Sequence, residues 1–224
     1  MHIPDGYLSP QTYIPFYIVF IAIMARAIKK VQKKLTAKII PFLGMAAAFS
    51  FLIMMFNIPI PGGTTGHAVG AALIALIFGP WIAVVSVSVA LILQAFVFGD
   101  GGITAIGANC FNMAIVMPFI AYGIFKIVNN NSVNPKRMGF AAFLAGYVSL
   151  CFTALITAIE FGIQPIIASS PEGIPLYAPY PLKIAIPAMA LEHLLLFGIV
   201  EGVVTALVFR YFYNSNKELI EVLK

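Results

Sequence analysis

Seven apolar runs occupy most of this chain, and they leave too little polar sequence to coat a water-soluble fold. They are Tyr13–Ile28, Leu35–Phe56, Thr65–Gly79, Trp81–Phe98, Ala105–Val128, Met138–Gly162 and Lys183–Phe212. A spanning helix needs roughly 20 such residues to cross a hydrocarbon core about 30 Å thick. Charged residues make up only 9% of the sequence and apolar ones 61%, whereas an ordinary soluble domain is about one quarter charged. The expected fold is an all-α integral membrane protein, one membrane domain built as a bundle of seven transmembrane helices. Residues 13–128 supply helices one to five, 129–137 a cytoplasmic linker, 138–212 helices six and seven, and 213–224 a short amphipathic cytoplasmic tail. Gly79-Pro80 separates the third run from the fourth, because proline has no N–H and clashes with the preceding turn. The third run is short for a full crossing, and the last is long enough to tilt or protrude.

The basic residues give the orientation. With the N-terminus outside, the cytoplasmic segments hold Arg26, Lys29, Lys30, Lys33, Lys34, Lys38, Lys126, Lys136, Arg137, Arg210, Lys217 and Lys224. Of the 13 Lys and Arg, only Lys183 is then left on the outer side, as the positive-inside rule requires. The C-terminus is cytoplasmic in this arrangement. The same distribution removes a nucleic-acid partner, which would need those cations on one folded face. Cys110 and Cys151 lie inside apolar runs without zinc-site spacing and read as packing residues. No secretory signal precedes the first run, so Met1 is expected to be the N-terminal residue. The expected location is the cytoplasmic membrane of a prokaryotic cell.

The outer loops are rich in Gly, Pro, Thr and Asp, and two of the three histidines fall there. The chain opens Met1-His2-Ile3-Pro4-Asp5-Gly6. A free α-amine followed by histidine is a chelator. The Met1 amine, the His2 amide nitrogen and the His2 Nδ1 close one five-membered and one six-membered ring around a single ion. The amide must lose its proton, which Ni(II) and Cu(II) can drive on becoming square-planar. Three nitrogens leave a fourth corner open. His67 is the candidate for it, in the Gly-rich segment Gly62-Gly63-Thr64-Thr65-Gly66-His67. Thr64 or Thr65 can cap the following helix and set His67 in its first turn. Pro4-Asp5-Gly6 is a turn signature that folds the opening residues back toward the bundle. Metal-bound imidazoles give their other proton to a carboxylate or carbonyl. Asp5 and Asp100 are the nearest carboxylates by topology, and Asn57, Gln94, Asn109 and Asn112 are polar residues near the same mouth.

These segments, with the late Leu191-Glu192-His193 and Glu201-Gly202-Val203-Val204-Thr205, resemble the CbiM/NikM family. Its members are the substrate-binding components of energy-coupling-factor importers for cobalt and nickel. The resemblance covers essentially the whole chain. It implies a seven-helix bundle with the N-terminus inserted from outside, and metal ligation by the Met1 amine, the His2 amide and imidazole, and His67. It also implies a transmembrane coupling subunit, two ATPase subunits and a small accessory membrane subunit as partners. No GxxxxGK[ST] motif is present, so ATP hydrolysis is expected on another chain and this one is not expected to be an enzyme. Ni(II) is the expected substrate, because an all-nitrogen square plane suits it. Co(II), in a homologue feeding cobalamin synthesis, is the alternative. A self-sufficient metal channel or secondary transporter is a second alternative of another class, although no internal repeat supports it.

Glu192, His193 and Glu201 are ionisable residues within the last run, where such groups are costly and are usually paired or functional. They fit either a metal exit path and coupling contact or an internal hydrogen-bond network that fixes the seventh helix. The network is the expected role.

Overall fold

A computed structural model describes residues 1–33, 40–60 and 64–215 of this chain. Among these residues, α1 runs Pro10–Gln32, α2 Ile40–Met55 and α3 Ala71–Phe78. They are followed by α4 Pro80–Phe98 and α5 Ile106–Asn129, α6 Pro135–Gly162 and α7 Leu182–Ser215. A single turn, Gln164–Ile167, continues α6. Between α2 and α3 lies an antiparallel hairpin, β1 Ile58–Ile60 and β2 Thr64–Gly66, with Ile58 opposite Gly66. The start of the second expected run, Gly62-Gly63, Lys34, Lys38, and the tail beyond Ser215 with Lys217 and Lys224 lie outside the described residues.

Among the described residues, four helices are long and apolar enough to cross a membrane. α4 has 19 residues, α5 24, α6 with its extra turn 33 and α7 34. At 1.5 Å per residue the last two reach about 50 Å, so they tilt or extend beyond a core about 30 Å thick. α2 is apolar but shorter, at 16 residues, and α1 has 23 residues with Lys29 and Lys30 in its last turn. α3 has 8 residues, about 12 Å of helix, and cannot cross alone. It is nonetheless the hub of the bundle. Ala71 to Ile77 are all buried, enclosed by α4, α5, α6 and α7.

The third helix therefore begins at Ala71 rather than Thr65. Its N-cap is Gly70, at φ 74°, with no side-chain cap of its own. Thr64 and Thr65 belong to β2 instead of capping the helix, and His67 lies in the loop between β2 and the helix. Close approach explains the shift. A Cβ on Gly66 would sit 2.0 Å from the Phe197 ring, and one on Gly70 2.5 Å from Phe49. Gly66 and Gly70 thus lie against α7 and α2, respectively. The expected break between α3 and α4 is present, with Gly79 at φ 87° and Pro80 opening α4.

Three helices carry π-turns, at Gln94–Phe98, Cys110–Val116 and His193–Phe197. Each adds a residue to a turn and rotates the face that follows. Such insertions concentrate at functional sites, and hydropathy cannot reveal them.

Candidate functional site

The opening residues are built into the bundle. Met1 is 6% exposed, Ile3 0% and His67 1%. Ile3 is the anchor. Its N–H donates to Asn109 Oδ1 at 2.9 Å, and its carbonyl accepts from Asn109 Nδ2 at 3.1 Å and from the Gly102 N–H at 2.8 Å. Its side chain packs in a small core with Leu8, Ala105 and Ala108, a burial worth about 1.5–3 kcal/mol. Asp5 and Gly6, the latter at φ 81°, then turn the chain.

The turn is clamped to the loop ahead of α5. The Asp5 carboxylate accepts from the Ile103 N–H at 3.0 Å, the Thr104 N–H at 2.8 Å and the Thr104 hydroxyl at 2.5 Å. The Thr104 hydroxyl, ahead of the backbone donors, holds this carboxyl below its usual range. Gly102 leaves room for the contact, since a Cβ there would lie 2.3 Å from the Asp5 nitrogen. Behind the turn, the Ser9 N–H donates to Gln164 Oε1 at 2.9 Å, and Gln164 Nε2 donates to Thr12 Oγ1 at 3.0 Å.

This clamp brings two imidazoles together across a long stretch of sequence. The His2 and His67 ring centroids are 4.7 Å apart, tilted by 34°. His67 Nδ1 donates to the Ala68 carbonyl at 3.0 Å. A carbonyl only accepts, so Nδ1 carries the proton and Nε2 offers its lone pair. His2 Nδ1 lies 2.9 Å from Asp100 Oδ1. Nε2 of His2 and Nε2 of His67 are both buried without a hydrogen-bond partner. The Met1 amine is pushed down from 8.0 to about 6 by loss of hydration, against the opposing pull of Glu192 and Asp100. Burial also holds the His2 imidazole below its ordinary value, although Asp100 favours its charged form. At neutral pH the pocket therefore presents uncharged nitrogen donors, flanked by acidic side chains that can balance a cation.

Among the described residues no group of three His, Cys, Asp or Glu side chains is arranged to hold a metal. The main-chain nitrogens of Met1 and His2 lie beside the two imidazoles as further donors an ion could use. Nitrogen donors of this kind suit nickel, copper and zinc, and disfavour magnesium and calcium.

Of the residues expected at the site, the structure gathers Met1, His2, His67, Asp5, Asp100 and Asn109. Asn57 is exposed just before β1. Gln94 donates to the Phe51 carbonyl at 3.4 Å. Asn112 turns to α6, donating to Glu160 Oε2 at 2.8 Å and Thr157 Oγ1 at 3.2 Å. In α7, His193 Nδ1 donates to the Met189 carbonyl at 2.8 Å and is 3.5 Å from Glu192 Oε1. Glu192 is within electrostatic reach of the Met1 amine, so it faces the site more directly than its expected structural or coupling role suggests. Glu201 binds the Val69 and Gly70 N–H groups ahead of α3. Ile3, Gly102 and Gln164 position the site but were not expected there. An isoleucine in an otherwise polar leader was the one available signal.

Replacing Asp5 by Ala removes the clamp without touching a nitrogen donor. Loss of a residue that orients ligands costs about 10–100-fold in metal affinity. Asp5→Ala is expected to weaken nickel binding within that range in an equilibrium titration, with stoichiometry preserved.

Comparison with known proteins gives a consistent result. The family model CbiM, described as the cobalt uptake substrate-specific transmembrane region, matches residues 2–219. The fused nickel transport protein NikMN of Rhodobacter capsulatus is 47% identical over 221 residues, covering 98% of this chain and 64% of that protein. This chain thus spans just under two thirds of that relative. The cobalt transport protein CbiM of Lachnoclostridium phytofermentans is 32% identical over 207 residues, covering 89% of this chain and 82% of its own length. A crystal structure described as a transition metal transporter superposes with a TM-score of 0.92 at 47% identity, covering 99% of this chain and 96% of that one. With four helices fit to cross a bilayer and these relatives, the chain is a multi-pass membrane protein and belongs to the CbiM family of nickel and cobalt transport proteins.

Proposed function

We propose that this chain is the substrate-binding subunit of an energy-coupling-factor importer and captures Ni(II) from outside in a square plane of four nitrogens. The Met1 amine, the deprotonated His2 amide, His2 Nδ1 and His67 Nε2 are the ligands. One observation carries this reading: the buried Met1 amine acts electrostatically on His67, whose ring is 4.7 Å from that of His2 and whose Nε2 is unpartnered. His2 Nδ1 faces Asp100 in this structure. Capture turns the ring so that Nδ1 meets the metal, and Nε2–H becomes the proton offered to a carboxylate, the usual arrangement around a metal-bound imidazole.

The whole chain forms one membrane domain with seven helices in the bundle, its N-terminus outside and its basic ends in the cytoplasm. α1 supports this, with the capture residues ahead of its first turn and Lys29 and Lys30 in its last. A transmembrane coupling subunit, two ATPase subunits and a small accessory membrane subunit supply energy and reorientation, since the chain has no phosphate-binding loop of its own. Co(II) is the second reading, favoured by the description of the matching family.

Elemental analysis and absorption spectroscopy on protein with an unmodified N-terminus test the site. One nickel per chain, yellow and diamagnetic, is the expected result; a paramagnetic six-coordinate ion would reject the square plane. The pH dependence gives a second readout. The His2 amide releases a proton on binding at any ordinary pH. The Met1 amine, titrating at about 6, is already neutral at pH 7 and must release a second proton only in acid. Log affinity is expected to rise with pH by about one unit per pH unit above pH 6, and by about two or more below it. A flat profile would mean that the amide keeps its proton.

A further inference from the structure

The end of the bundle opposite the capture site encloses a cavity of about 920 Å³, between the last turns of α1, the α3–α4 corner, the α5–α6 turn and α7. Ligand sites run from roughly 300 to 1,000 Å³. The chain break at Gly79-Pro80 lines this cavity, and a Cβ on Gly79 would meet nothing within 4 Å. Its lining joins the basic Lys30, Lys33 and Lys126 with the apolar Leu76, Phe125 and Phe209. Among the described residues no Asp or Glu lines it.

We propose that this cavity binds an anionic phospholipid, with the phosphate among Lys30, Lys33 and Lys126 and part of an acyl chain over the apolar floor. Three cations with no acid beside them among the described residues attract an anion, and the apolar residues of the same lining favour an amphiphile over a free one. Lys30 Nζ is 4.5 Å from the Trp81 ring centroid, and Lys126 Nζ is 4.6 Å from that of Tyr122. Both ammonium groups therefore rest on aromatic faces, a mix that suits the interface between headgroups and acyl chains. The Ser132 hydroxyl accepts from the Asn134 N–H at 3.2 Å, so its own proton is available to a phosphate oxygen. Basic pockets between helices on the cytoplasmic side attract anionic headgroups. The proposed orientation decides only which leaflet supplies the lipid, so this site stands or fails separately from the metal site.

Native mass spectrometry of the full chain tests it, with phosphatidylglycerol, phosphatidylcholine of the same acyl chains, and inorganic phosphate as competing probes. Wild-type protein is expected to retain phosphatidylglycerol on the order of a hundredfold better than phosphatidylcholine, from three lysines at the membrane surface. K30Q/K33Q/K126Q is expected to lose that preference while binding nickel at wild-type stoichiometry, which also reports an intact fold. If that variant fails to fold, raising salt on wild-type protein must erode the preference instead. Equal retention of both lipids overturns the proposal. So does displacement by inorganic phosphate alone, or a preference that emerges only when residues 216–224, with Glu218 and Glu221, are removed, because the occupant would then be the chain's own acidic tail.

Discussion

Adding one residue ahead of Met1 is expected to abolish tight nickel binding while leaving the protein folded. The change converts the basic amine into an amide, which binds only after giving up its own proton, and moves the free amine one residue away from the plane. Four-ligand metal sites have apparent binding energies of roughly 10–16 kcal/mol, so one ligand accounts for about 3 kcal/mol, or at least a hundredfold in affinity. The real loss is expected to be larger. The His2 amide gives up its proton only when a metal is already anchored beside it, and the amine is that anchor. Sterics act in the same direction, because Met1 is 6% exposed and Ile3 is held by three hydrogen bonds on its main chain. A preceding residue has to enter the pocket or pull the anchor out. His67→Ala separates these effects, since it leaves the N-terminal fold alone and removes one nitrogen. The two variants are expected to lose nickel to a similar extent, with unchanged circular dichroism. An extended protein that binds one nickel with wild-type affinity would remove the chelate from consideration.

The membrane-spanning helical class of the fold and the meeting of His2 with His67 were both legible in the sequence, for different reasons. Long apolar runs survive as helices because lipid leaves the backbone no other way to satisfy its hydrogen bonds, and α4 to α7 follow their runs closely. The third run failed at its start because hydropathy does not register backbone conformation. Thr65 to Gly70 carries no charge and runs straight into the apolar helix after it, yet Gly66 and Gly70 are held by the Phe197 and Phe49 rings they touch. His2 and His67 could be paired because few residue types bind nickel and only three histidines exist to choose from. The supporting shell was harder to read. Asp5 and Asp100 came from topology and do reach the site, one onto the α5 loop and the other onto His2. Asn112 and Gln94 sit at a comparable position along the chain, but the π-turns in α4 and α5 set where their side chains point, and they bond elsewhere. Ile3 and Gln164 act by shape and by main-chain hydrogen bonds, which leave no pattern in a single sequence.

Glu201→Ala is expected to be the most destabilising single substitution in the bundle outside the capture residues. Helix α3 starts inside the protein, where its first N–H groups have no water to bind. Gly70 caps it without a side chain, so the donors are met from α7. Glu201 Oε2 accepts from the Val69 N–H at 2.7 Å and the Gly70 N–H at 3.0 Å, and Oε1 lies 3.1 Å from the same Gly70 nitrogen. Glu201 is 0% exposed. Its removal leaves two buried donors unsatisfied at about 1–3 kcal/mol each, for a total of about 2–6 kcal/mol. Glu201→Gln keeps one acceptor oxygen and should recover roughly half of that loss. The consequence reaches the site along the backbone, since His67 lies two residues before Val69 and owes its position to the start of α3. Thermal unfolding is expected to rank wild type above Glu201→Gln above Glu201→Ala, and nickel affinity is expected to follow the same order. If affinity were lost while the melting temperature stayed at the wild-type value, Glu201 would have to act on the metal directly, and its place would be in the transport path rather than at the foot of α3.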